Sequence, residues 1–462
     1  MNTENVAPKR IARLFAEPNP GGQIRLLNRE EVTFVQGENR IVGFIEVSKQ
    51  WPSMLLHWSF TGKDCGADLN VVTFGDCEIE RKKFDFTGQV ISKSSNLISG
   101  FVNGNLEAGS EHKLTKITAH FANFPDLRPG SEFFIETVLD GKHAEERMSQ
   151  AIIEAQGWTI TLQSDPKPYS FSSDKTEWVL NGITEICRTD KTEFHVREGK
   201  EIIERLRLFL SFGFGTWTPP ILVVGSNAVA KKSWQYFSNT EVSSAIGLRG
   251  WLASSRTDEL SPAFDGFLTL IGKDEWREVL ELSIVWLIEA SRNAGGIDGS
   301  IALSQIPLEM ISWMYFVDGD SIIDGGEFEK LGAPSKLQLL LSKCEIPSSV
   351  PEPLCSLVKL GKGNGLGTGP KVVVRIRNSI IHPHRKNRLA FAALMKEQSV
   401  DETQVRRETG RLFRWYLTLV LLRSIGFMGT YCNRWTAEKS SVNETVPWAN
   451  SDKEGSGDVR ST

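Results

Sequence analysis

Towards its C-terminal end the chain reads KVVVRIRNSIIHPHRKNR, and three residues of that run, Arg377, Asn378 and His382, have the types and spacing for proton transfer at a phosphate. Asn378 and His382 stand at i and i+4 of a helix and share a face, with Arg377 one step round. Pro383 follows, and proline disfavours helical backbone in the residue before it, so His382 falls at or near a helix end. Histidine, with an ordinary pKa of about 6.5, carries a proton near neutral pH. Arginine offers a fixed fork of donors to a phosphate on which charge builds up, and Asn378 can orient either group. These groups suit transesterification of RNA, in which the ribose 2′-hydroxyl attacks its own phosphate and no metal is required. Arg375, His384, Arg385 and Lys386 flank the triplet as candidate substrate-binding residues.

The elements that must position the triplet are helical. The spacing predicts a helix over 274–290, where Trp276, Val279, Leu280, Ser283, Ile284, Leu287 and Ala290 form one stripe ending at Gly295-Gly296. Further helices are expected over 301–316, 334–342, 371–382 (the motif helix) and 403–428. Gln305 and Glu309 are polar positions on the otherwise apolar 301–316 helix and are supporting candidates for the site. The last helix is apolar on more faces than one bundle core buries, which suggests a second copy of the chain as its partner.

Upstream, from about 21 to 164, short runs rich in β-branched and aromatic residues alternate with Gly, Asn, Asp and Pro clusters, the pattern of an antiparallel sandwich or barrel. The span 165–265 is mixed: strand-like 177–186, a helix over 201–212 carried by Ile202, Ile203, Leu206, Phe209 and Leu210, and a short strand at 221–224. Trp217, Trp234 and Trp251 read as packing anchors. The expected class is therefore α+β: a β-sandwich-like domain at 21–164, a mixed α/β region at 165–265, and an all-α helical bundle at 270–435. A flexible N-terminus (1–20) and a disordered tail (436–462) are expected outside them.

Composition closes several routes. With 40% hydrophobic and 24% charged residues the chain is an ordinary globular protein. A net charge of -4 argues against coating nucleic acid with the whole surface and leaves room for a local basic cleft. The six cysteines include no CxxC pair, so neither a disulfide framework nor a zinc ribbon has its spacing. GKGNGLGTGP at 361–370 matches neither phosphate-loop pattern, and Asp318, Asp320 and Asp324 lack the remaining positions of a calcium loop. The histidines of the first half have no partners at ligand spacing and read as structural or surface residues. No metal or cofactor is expected. The N-terminal run lacks a secretory signal, and the most apolar stretch, 415–428, is too short for a membrane span and holds Arg423, so a cytoplasmic protein is expected.

The segment from Arg377 to His382 resembles the HEPN superfamily (higher eukaryote and prokaryote nucleotide-binding), helical domains whose ribonuclease members carry RNxxxH; Arg377, Asn378 and His382 match that motif position for position. The resemblance covers about 270–435, where IALSQIPLEMISWMYF is similar to the second-helix region and WYLTLVLLRSIGFMGTYCNRW to the closing helix of ApeA-like abortive-infection proteins, which also place a β-rich region first. It implies a metal-independent endoribonuclease acting as a homodimer on RNA, held by a β-rich sensor of an unknown trigger, in phage defence or a toxin-like role. Two readings stay open beside it: a non-catalytic nucleotide-binding or dimerisation module, and a carbohydrate-binding sandwich fused to a helical dimeriser.

Overall fold

The structure is a computed structural model. It describes residues 10–15, 23–36, 39–50, 55–62, 71–79, 82–109, 112–125, 127, 132–139, 142–164, 179–243, 250–252, 257–363, 366–381, 384–435 and 442–449. The chain is α+β, as the sequence implies: a β-rich first half and a helical C-terminal region, divided into two compact units, 1–210 with 217–247 and 211–216 with 248–462.

In the first unit six strands run in the order β1-β2-β3-β6-β5-β4: β1 (Ile24–Gln36), β2 (Asn39–Gln50), β3 (Leu55–Gly62), β4 (Val71–Ile79), β5 (Lys82–Lys93) and β6 (Leu97–Asn103). All neighbours are antiparallel. Leu56, Trp58 and Phe60 of β3 are buried while Leu55, His57 and Ser59 between them are only partly covered, the period of two that a one-sided sheet imposes. Gly88 is required beside Trp58, since a Cβ there would lie 2.2 Å from the indole nitrogen.

A second antiparallel sheet uses β7 (Leu106–Ala108), β9 (Lys116–Ala122), β10 (Glu132–Leu139), β11 (Lys142–Ala155), β12 (Trp158–Ser164), β13 (Leu180–Arg188), β15 (Ile221–Ser226) and β16 (Lys232–Phe237), ordered β10-β11-β12-β13-β9-β15-β16-β7. The short β8 (Lys113–Leu114) and β14 (Phe194–His195) pair separately. The strands of the mixed span thus complete the sheet begun by β9 and β12, because β13 is paired on both edges, with β12 and β9. Helix α1 (Val196–Phe214) buries Ile202, Ile203, Leu206, Phe209 and Leu210, the stripe legible in the sequence.

Asn239, just after β16, ties the two sheets together: it accepts from Leu56 N at 2.7 Å and donates to Val102 O at 2.8 Å. Beside it the fully buried Lys49 donates to Ser238 O at 2.5 Å, and burial lowers its pKa to about 7. His120 is wholly buried too; its Nε2 accepts from Leu14 N at 3.3 Å, and burial, the largest effect on it, pulls its pKa to about 4.

The second unit holds α2 (Leu260–Ile271), α3 (Asp274–Ser291), α4 (Gly296–Trp313), α5 (Gly325–Lys330), α6 (Ala333–Lys343), α7 (Cys355–Gly363), α8 (Gly369–Ile381), α9 (Arg385–Glu397) and α10 (Glu402–Ser424), with a hairpin of β17 (Thr430–Asn433) and β18 (Val442–Thr445). Helix α4 runs on into a π-helical stretch at Met314–Gly319. Helix α10 is its axis, with α3, α4, α6, α7 and α8 around it. The apolar circumference that suggested a second copy of the chain is therefore covered by the unit's own helices. Arg414 of α10 is buried and donates to Ala290 O at 3.0 Å and Ser300 Oγ at 3.1 Å, locking the end of α3 and the start of α4 to the axis.

Parts of both ends expected to be flexible are instead seated. Ile11 N donates to Gln163 Oε1 at 2.8 Å, and Phe15 packs edge-on against His120 and Phe237. In the tail, β18 completes the hairpin and Trp448 is buried, its Nε1 donating to Phe427 O at 2.7 Å. One aromatic in each polar segment supplies the burial that offsets ordering. Among the described residues no helix is long and apolar enough to cross a membrane.

Candidate functional site

Helix α8 is the element that presents the motif. Val372, Val373 and Ile376 face inward and are buried, while Lys371 and Arg375 are exposed and Asn378 is half-buried. The three polar residues stand at i, i+4 and i+7 and so form one stripe on the far side of the helix from its apolar one. The helix reaches its place through close backbone contact: Gly369 N donates to Ser348 O at 2.7 Å, and a Cβ on Gly369 would lie 2.0 Å from the Tyr416 hydroxyl of α10. Helix α7 is fixed at its start by Glu408 of α10, a buried carboxylate that accepts from Leu357 N at 3.0 Å and from Gln404 Nε2 at 3.0 Å.

Of the triplet, Arg377 and Asn378 are brought together. Arg377 Nη1 donates to Asn378 Oδ1 at 3.1 Å, which fixes the amide so that its NH2 is left as a donor. Arg377 Nε is buried without a hydrogen-bond partner among the described residues. His382 lies outside the described residues, as does Pro383; α8 ends at Ile381, the residue before it.

A cleft of about 430 Å³ opens beside this pair. It is lined by Lys371, Val374, Arg375, Asn378 and Ser379 of α8, Ala390 and Phe391 of α9, Pro334 of α6 and Leu366. Arg375 is thus placed with the triplet's Asn378. His384, Arg385 and Lys386 are exposed at the start of α9, where His384 caps without a side-chain hydrogen bond, and none of them lines the cleft. Gln305 is buried and donates through Nε2 to Glu309 Oε1; the two border a small space that they share with Val374 of α8, about a turn before Arg377. They support the helix and do not reach the triplet's cleft.

The electrostatic setting is one-sided. Between 353 and 396 the chain has nine lysines and arginines and no Asp or Glu, whereas the whole protein carries 57 acids in 462 residues. Arg406 and Arg423 of α10 are each paired with a carboxylate; Lys371, Arg375 and Arg377 have no carboxylate partner among the described residues. Helices α7, α8 and α9 therefore carry a local excess of positive charge on a net-negative chain. This acid-free stretch is a sequence signal that attention to motif spacing alone passes over. Lys371, Pro334, Leu366 and Phe391 could not be chosen from spacing, since they come from four separate segments. Among the described residues no group of three or more His, Cys, Asp and Glu is placed to hold a metal ion.

Comparison with known proteins places similarity over the same regions. The family described as the YopA C-terminal domain matches residues 273–446, from the start of α3 through β18. The family described as the YopA central domain matches residues 109–247, which contain β8 to β16. The SPbeta prophage-derived uncharacterized protein YopA of Bacillus subtilis (strain 168) is 22% identical over 377 residues, covering 79% of this chain and 79% of that protein. No solved structure matches at a significant level.

Proposed function

We propose that the helical unit is a metal-independent endoribonuclease of the HEPN type, controlled by the sandwich-like β-rich unit. Arg377, Asn378 and His382 act at the cut, with Arg375 binding substrate beside them. The observation that carries the reading is the Arg377–Asn378 pair at the edge of a cleft in an acid-free, cation-rich segment, with His382 four residues after Asn378 in the chain. A site for RNA needs that local charge, and a cut through the 2′-hydroxyl needs a proton carrier next to a phosphate clamp.

In the reaction the 2′-hydroxyl gives its proton to His382 and its oxygen bonds to phosphorus. The bond from phosphorus to the 5′-oxygen breaks, and that oxygen takes up a proton, leaving a 2′,3′-cyclic phosphate and a 5′-hydroxyl. Arg377 donates to the non-bridging oxygens as their charge grows, and Asn378 holds the guanidinium through its carbonyl. A homodimer would bring two copies of the motif to one RNA and supply a base and an acid. A role in conflict between phage and host, in the cytoplasm, is consistent with the prophage-derived relative.

One observation favours a second reading, a non-catalytic HEPN module for nucleotide binding or dimerisation: Arg377 is half-buried and already engaged by its neighbour, as a structural arginine would be. Incubating the full chain with single-stranded RNA and sequencing the ends separates the two. Cyclic phosphate ends that vanish in His382→Ala are expected, and intact RNA at every protein concentration would leave only the module.

A further inference from the structure

We propose that the cleft between α8 and α9 is a subsite for one unpaired nucleotide of a single-stranded RNA, with its phosphate on Lys371 and Arg375 and its base between Leu366, Pro334 and Phe391. The choice of RNA as the polymer rests on the ribonuclease reading; the cleft's chemistry does not.

Every charged or amide side-chain group that the wall of α8 offers is a donor. Lys371 and Arg375 are exposed cations with no carboxylate partner among the described residues, and Asn378, which lines the cleft, has its carbonyl committed to Arg377, so its NH2 is left as a donor. Ser379 is buried there with its hydroxyl spent on Ile376 O at 2.6 Å. A ligand that satisfies such a wall is anionic and rich in acceptors, which a phosphate with an attached base carbonyl or ring nitrogen is. The remaining surface, from Pro334, Leu366, Val374 and Phe391, is apolar and suits the flat face of a base.

Size restricts the occupant. About 430 Å³ lies at the small end of ligand sites, which run from about 300 to 1,000 Å³. It accommodates one nucleotide and not a paired stretch, whose base edges are covered and whose groove side chains cannot read. Asn378 then serves two groups at once: its oxygen orients Arg377 and its nitrogen touches the bound nucleotide, so occupancy of the cleft registers the strand against the guanidinium.

The test uses the full chain and fluorescein-labelled 2′-O-methyl RNA strands of about ten nucleotides, which lack the nucleophile and cannot be cut, with binding read by anisotropy. Lys371→Ala with Arg375→Ala is expected to weaken single-strand binding about 10-fold or more, whereas Lys396→Ala, an exposed cation of the same acid-free stretch outside the cleft, should change it by no more than about 2-fold. Leu366→Asp, which puts a carboxylate in the cleft's lining without touching a helix, should match the first loss, with thermal melting confirming that each variant is folded. A hairpin duplex of the same chemistry should bind the wild type more weakly than the single strand. Equal losses for the cleft and Lys396 variants, duplex binding as tight as single-strand binding, or no binding by the wild type would each overturn the subsite. The nuclease reading is judged apart, on ordinary RNA with Arg377→Ala and His382→Ala: tight, cleft-dependent binding without cleavage sinks that reading and keeps the subsite, while cleavage with cleft-independent binding does the reverse.

Discussion

At the scale of single residues, Arg377 and Lys49 are cations that the fold encloses in part and in full. Arg377 is half-buried with one nitrogen on Asn378, and Arg377→Ala should cut RNA cleavage by about 100-fold or more, the usual loss when a donor to developing charge is removed, with little change in melting temperature. Lys49 has no such role, and its cost is in stability. Between its folded pKa of about 7 and its ordinary 10.5, the unfolded chain holds the proton and the folded chain does not, so stability rises with pH across that window. Below the folded value both states hold it and the burial penalty is complete. Lys49→Met should therefore raise stability by a few kcal/mol near pH 6, with the gain shrinking as pH rises towards 10, measured by urea unfolding at each pH. The types and spacing of the triplet were legible in the sequence because its three residues are close together in the chain. Lys49 was not, since only the pairing of β2 with β3 and the return of the chain at Ser238 enclose it.

At the scale of elements, α8 depends on a backbone approach that only glycine permits. Gly369→Ala would set a methyl against Tyr416 and Ser348, push the start of α8 off α10, and cost about 1–3 kcal/mol, seen as a melting temperature several degrees lower. Cleavage should fall with it, because Arg377 and Asn378 ride on the displaced helix. The strongly periodic helices α3, α4, α6, α8 and α10 fall where apolar spacing predicts them, each within a few residues. Helices α2, α5, α7 and α9 escaped notice for physical reasons: α2 holds Pro262 and Gly266 within its span, α5 is a short helix started by Asp324, whose carboxylate accepts from Gly326 N at 2.9 Å, and α7 and α9 have polar, cationic outer faces that hide a narrow apolar stripe. Those same cations make up most of the positive charge of the acid-free stretch 353–396, so the feature that obscured the elements is the one that sets its charge.

At the scale of the whole molecule, the boundary of the helical unit does not lie where the change of periodicity suggests. Residues 211–216 and 250–252 belong to it: Gly250 N donates to Phe214 O at 2.8 Å, Leu252 N to Gly213 O at 2.9 Å, and Cys432 N to Trp251 O at 2.7 Å, with Trp251 packed on Phe212 and Phe427. A fragment beginning at 248 keeps Gly250, Trp251 and Leu252 without β15 and β16, which belong to the first unit, and should melt at a higher temperature than one beginning at 266, as circular dichroism of the two would show. Because every residue proposed to act lies beyond 300, the longer fragment should keep the chemistry and lose its control. The ends of RNA cut by the full chain, with EDTA present and with His382→Ala alongside, decide whether the helical unit is a metal-independent ribonuclease. The wild type is expected to leave 2′,3′-cyclic phosphate and 5′-hydroxyl ends, unchanged by EDTA, with no cutting of single-stranded DNA, and the variant to leave RNA intact; 3′-hydroxyl ends, a requirement for divalent metal, or equal cutting by His382→Ala would rule this chemistry out.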